Sequence, residues 1–172
     1  MSDNQQQDLI KHVNNMIFDK QPEVQAKAAN TLTSIIRASP TAFNIECRRQ
    51  SYMAMLKKNH QQQWQLCELP TLRAEWTYQI RGAVLGLGAL LLAFSYLTPL
   101  ALWQREVLVI LAETSCSGLR LVENSIKEIL AVFKVKRQDT WLADREVISP
   151  LQMTPNNAKS PIRDSLQVSW RP

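Results

Sequence analysis

Between Arg81 and Arg105 the chain runs for 23 residues, Gly82 to Gln104, without a charged side chain. A continuous helix rises about 1.5 Å per residue, so this stretch would extend roughly 35 Å, against a bilayer hydrocarbon core of about 30 Å. Two architectures can bury it. One is a single membrane-crossing helix. The other is a helical hairpin buried in a bundle, with Leu97-Thr98-Pro99 as its turn. Proline inside a water-exposed helix costs about 3 kcal/mol or more, which argues for the turn, whereas in a membrane neighbouring groups satisfy the freed carbonyl. Trp76 and Tyr78 precede the run and Trp103 stands at its far end, the places interfacial aromatics occupy. The membrane-crossing helix is therefore the leading expectation, and the buried hairpin is its rival.

The same run carries a candidate self-association face. Gly82 and Gly86 are four residues apart, and Ala89 and Leu90 continue their side of the helix. Small residues let helix backbones approach closely, which in lipid supplies much of the association energy. Gly82, Gly86, Ala89 and Leu90 are thus the expected interface of a homo-oligomer.

The remainder of the chain reads as all-α. Only 4 glycines stand against 8 prolines, which suits long helices better than a turn-rich β architecture. Leu9, Ile10, Val13, Met16 and Ile17 share one helical face. After the break at Asp19-Lys20-Gln21, Pro22 begins a second helix with Val24, Ala28, Leu32, Ile35 and Ile36 as its stripe. The phrase from Pro22 to Leu32 resembles one helix of an armadillo or HEAT repeat. The likeness covers about 15 residues, and no second copy of the phrase recurs at the spacing of roughly 30–47 residues that such solenoids use. Thr41 to Leu69 is a third helical stretch, Pro70 closes it, and Thr71 is placed to cap the helix that enters the apolar run. Beyond Val107 to Ala112, the residues Leu119, Val122, Ile126, Ile129, Leu130 and Phe133 form an amphipathic helix ending in Lys134-Val135-Lys136-Arg137.

From Gln138 the periodicity stops and Pro150, Pro155, Pro161 and Pro172 punctuate an irregular tail. The expected organisation is an N-terminal helical bundle segment (1–70), the long apolar helix with the amphipathic basic helix (71–137), and the tail (138–172). The tail holds Ser149-Pro150, Thr154-Pro155 and Ser160-Pro161, which have the form of proline-directed phosphorylation sites but are common by chance.

Net charge is +5, from 20 Lys+Arg against 15 Asp+Glu. The densest cations are Arg48, Arg49, Lys57 and Lys58, interleaved with Tyr52 and Trp64. They are the candidate surface for an anionic partner, lipid headgroups first and nucleic acid second, since clustered cations release counterions on binding. Chemistry finds little equipment. His12 and His60 lack the short ligand spacings a metal site with Cys47 or Cys67 would need, and Cys116 sits in a helical pattern with neither histidine near it. No phosphate-cradling glycine loop occurs. No catalytic, cofactor or metal residues are expected. Met1 to Gln7 is polar, unlike a cleavable signal peptide, and the three cysteines suit a reducing compartment.

These features point to a non-enzymatic, membrane-associated helical scaffold that self-assembles, its N-terminal region cytoplasmic. The alternatives are a helical shell or nucleoprotein subunit of the kind viruses build, with the apolar run as a hairpin at a subunit interface, and a cytosolic helical-repeat adaptor.

Overall fold

The computed structural model describes residues 3–41, 44–62 and 70–138. They form six helices: α1 (Asp3–Met16), α2 (Pro22–Ala38), α3 (Ile45–Gln62), α4 (Pro70–Ala93), α5 (Leu102–Thr114) and α6 (Arg120–Lys136). No strand occurs among the described residues.

The apolar run is broken. Helix α4 ends at Ala93, the Thr98–Pro99 peptide is cis, and α5 starts at Leu102. The charge-free part of α4 from Gly82 to Ala93 is only about 18 Å long at the standard rise per residue, well short of a bilayer core. The rest of α4 carries Arg73, Glu75 and Arg81. No helix of the described chain is long and apolar enough to cross a membrane, which corrects the leading expectation in favour of the hairpin. Proline wins here because the flanking segments pack on protein, where a turn is available at little cost.

Each connection around the break is specified by polar side chains. Gln104, fully buried in the first turn of α5, accepts a hydrogen bond from the Ala101 backbone N–H at 3.0 Å and donates from Nε2 to the Phe94 carbonyl at 3.0 Å. One side chain thus ties both sides of the turn. In the connection from α5 to α6, just before the N-cap Leu119, Gly118 adopts φ 71°, a left-handed conformation that favours glycine, and its N–H donates to Glu123 Oε1 at 3.1 Å. Pro70 opens α4 instead of closing α3, since a proline in the first turn loses no hydrogen bond that the helix would make.

Helix α4 is the axis of the fold. Every residue from Ile80 to Leu91 is buried, on all faces, because α2, α3 and α6 enclose it. Its three glycines make this possible, each against a different neighbour. A Cβ at Gly82 would lie 2.5 Å from Phe18 Cδ1 and 2.7 Å from the Ile17 carbonyl oxygen. At Gly86 it would meet the Tyr52 ring at 2.6 Å, and at Gly88 the Ile129 Cδ1 at 2.5 Å. A mid-helix glycine costs about 1 kcal/mol in helix propensity, and close packing on three sides offsets it. Tyr52 in turn donates its hydroxyl to Asn14 Oδ1 and faces Phe18 with ring centroids 6.3 Å apart, joining α3 to the end of α1.

Helices α2, α4 and α6 run parallel. Gln25 meets Tyr78 and Arg37 meets Leu92 between α2 and α4, while Arg81 meets Ser125 and Ser95 meets Arg137 toward α6. Helices α1, α3 and α5 form the second layer, α3 being linked to α5 through Arg49 and Glu106. The arrangement is two layers of three helices, with α4 at the centre of the inner one. The inner helices start at Pro22, Pro70 and Arg120, a period of about 50 residues, slightly above the usual armadillo and HEAT range. The single repeat-like phrase falls on α2, and α4 and α6 run parallel to it without its wording. One hydrophobic core takes side chains from all six helices, from Ile10 to Phe133.

Two outcomes follow for stability. Alanine at Gly82 meets a backbone oxygen that cannot move aside, and at Gly86 a clamped tyrosine, so each should cost about 1–3 kcal/mol. Gly88→Ala meets the mobile end of Ile129 and should cost least; urea midpoints of the three variants give the order. Burial pushes the Tyr52 phenol up from 10.0 to about 12. The folded state therefore holds this proton more tightly than the unfolded chain. Its contribution is complete below about pH 10 and is lost as pH rises toward 12, a loss of up to roughly 3 kcal/mol. The difference between wild type and Tyr52→Phe in urea midpoint, measured across pH 8 to 12, should narrow over that window.

Candidate protein-interaction surface

The candidate residues of the sequence separate into two groups once the helices are packed. Arg49 is nearly buried and committed: its Nη2 meets Glu46 Oε1 at 2.6 Å and its Nη1 meets Glu106 Oε2 at 2.7 Å, holding α3 to α5. These contacts draw Glu46 below the ordinary carboxylate range and raise Arg49, the hydrogen bond between the two being the largest cause in each. Arg48 is half-buried, and Lys57 and Lys58 are exposed on the same helix. The basic face of α3 thus presents Lys57 and Lys58 to solvent, with Arg49 turned to structural use.

Gly82, Gly86, Ala89 and Leu90 all lie inside the core. Phe18 and Tyr52 of the same chain cover the two glycines, so the face expected to receive a second copy is filled from within. The aromatic residues are likewise interior: Trp76 is buried, Tyr78 and Trp103 are half-buried, and Trp103 packs edge-on against Phe94 at 5.9 Å. They brace α4 and the α4–α5 turn. Cys47 and Cys116 are exposed free thiols on α3 and just after α5, and His12 is exposed on α1. Cys67, Trp64 and the three Ser/Thr-Pro pairs lie outside the described residues, as does the side chain of His60. Among the described residues no group of three or more His, Cys, Asp or Glu could hold a metal ion.

What sequence reasoning missed is a set of inward-turned polar groups along α4. Arg81, the charge that bounds the apolar run, is 7% exposed. Its Nε donates to Ser125 Oγ of α6 at 2.9 Å, and its Nη1 to the Pro22 carbonyl at 2.9 Å and Gln25 Oε1 at 2.8 Å in α2. Gln25 returns a bond from Nε2 to the Tyr78 carbonyl at 2.9 Å, and Ser125 donates to Leu121 O at 3.0 Å. Burial pulls Arg81 down from the ordinary guanidinium value while Glu128 opposes the shift.

A second set gathers where α4 ends. Arg37 Nη2, from the last turn of α2, donates to the Leu92 carbonyl at 2.6 Å. Arg137, 1% exposed at the end of α6, donates from Nη1 to the Ser95 and Leu97 carbonyls at 2.8 and 2.5 Å, with its guanidinium 5.6 Å from the Phe133 ring. The last carbonyls of a helix have no partner within it, and Arg37 supplies one for Leu92 of α4, while Arg137 meets two carbonyls of the turn that follows α4. Sequence carries one signal for this: basic residues in the final turns of α2 and α6, where the macrodipole favours them.

Comparison with known proteins gives one likeness. Residues 77–155 match the family described as proteasome activator complex subunit 4-like, C-terminal. The match takes in most of α4, all of α5 and α6, and a stretch beyond the described residues. No curated protein and no solved structure matches the chain.

Arg81 sets the sharpest expectation here. Its removal in Arg81→Ala leaves Gln25, Ser125 and the Pro22 carbonyl short of a buried donor and should cost about 3 kcal/mol. Arg81→Lys should recover only part of this, because one ammonium cannot span both neighbours as the planar fork does. Chemical denaturation of the two variants beside wild type measures both.

Proposed function

We propose that the chain is a non-enzymatic helical-repeat module that binds protein, and that its partner belongs to the proteasome or to the proteins that assemble with it. The observation that carries this reading is the likeness of residues 77–155 to the C-terminal region of proteasome activator complex subunit 4-like proteins. The fold supports it physically. Stacked helix pairs hold their shape through nearest-neighbour packing and offer a broad surface on which loops and helix ends are displayed at fixed positions. The buried hubs at Arg81 and Arg137 keep α2, α4 and α6 in register, as a docking surface requires. Of the earlier alternatives this one is the helical-repeat adaptor. The shell-subunit reading drew on a hairpin at a subunit interface, and the α4 arm of that hairpin is enclosed by the chain's own α2, α3 and α6.

The test is co-sedimentation of the purified full chain with proteasome particles on a glycerol gradient, alongside hydrolysis of a fluorogenic peptide by the same particles. Comigration with a changed hydrolysis rate is the expected result. A chain that stays at the top of the gradient and leaves hydrolysis unaltered would overturn the assignment.

A further inference from the structure

The edge at which α2, α4 and α6 end concentrates positive charge, with Arg37, Lys134, Lys136 and Arg137 gathered there. Arg37 and Arg137 approach the last turn of α4 from opposite sides, so the ends of α2 and α6 meet over residues 92–97. Lys136, exposed beside Arg137, has its ammonium lowered first by partial burial and then by the charge of Arg37, so cations from two helices stand within reach of each other. Lys134 lies one turn before Arg137. No Asp or Glu occurs from Asn30 to Thr41, from Gly82 to Gln104, or from Ile129 to Gln138. Among the described residues neither Lys134 nor Lys136 pairs with a carboxylate.

Helix dipoles explain part of this. Each C-terminus carries about half a negative charge, roughly 1.5 for three parallel helices, against four cations. Apolar surface adjoins the edge: Tyr96, between the two carbonyls that Arg137 grips, is 68% exposed, and Val135 next to Lys136 is 69% exposed.

We propose that this edge receives a short acidic segment of a protein partner, its carboxylates meeting Arg37 and Lys136 and its apolar side chains lying against Tyr96. The proposal rests on the protein-binding reading above and names the chemistry of the partner. A nucleic acid fits less well, because phosphate tracking uses a stripe of free cations, and here two of four are tied to carbonyls and the neighbours are apolar.

A fluorescein-labelled peptide alternating glutamate and leucine, titrated with the full chain and followed by anisotropy, is the probe. Binding should weaken with salt and fall about tenfold in Lys136→Glu, which removes an attraction and adds a repulsion while leaving both gripping arginines in place. The thermal melt of that variant should match wild type, and Lys57→Glu with Lys58→Glu on α3 should bind the peptide as wild type does. Absence of binding, or an equal loss in the α3 variant, overturns the proposal. So does tighter binding of a single-stranded RNA of similar length that Lys136→Glu abolishes. If wild type comigrates with proteasome particles but ignores the peptide, the edge is wrong and the protein-binding reading stands. If it binds the peptide but not the particles, the edge stands and the partner is an acidic protein elsewhere.

Discussion

A buried guanidinium that must find acceptors dictates how the inner helices sit. Arg81 lies in the middle of the one helix that every layer touches, and desolvating its charge is affordable only if its donors are met. The acceptors come from α2 on one side and α6 on the other, which fixes both helices along α4 to within a hydrogen bond's tolerance. Apolar packing alone would leave parallel helices free to slide by a turn. The polar hub removes that freedom. Below it the glycines let Tyr52, Phe18 and Ile129 close on α4, so that register and proximity are set by different residues.

Much of the helical content was legible in the chain. The stripes of α2 and α6, the break at Asp19 to Gln21, and the rival reading of Leu97-Thr98-Pro99 as a turn all correspond to what the structure contains. The error came from treating charge as a boundary. A charge beside an apolar run looks like the edge of a membrane or of a core, and single-sequence periodicity has no means of showing that Arg81 turns inward to meet side chains 44 and 56 positions away. The glycine spacing marks a place of close approach. What the spacing cannot reveal is whose atoms approach, and the occupants here are Phe18 and Tyr52 of the same chain. The partners of Gln104 and Arg137 were hidden for a related reason, since they are backbone groups and carry no sequence signal.

The parallel placement of α2, α4 and α6 was hidden because the three helices differ in wording. Helix α2 carries a phrase of the armadillo and HEAT kind, while α4 is apolar on all faces from Gly82 to Ala93 and α6 is sharply amphipathic. These differences follow from position in the stack. A central helix is covered on every side and sheds charge; an outer one keeps a polar flank. Period detection by composition fails when each copy is adapted to a different number of neighbours.

That central position has a thermodynamic meaning as well. In long solenoids each unit touches only the next, and ends fray independently of the middle. Here α4 packs against α2, α3, α5 and α6 at once, so no helix pair can leave without exposing a flank of the same apolar rod. Packing of all the helices around one rod favours their unfolding together as a single cooperative unit.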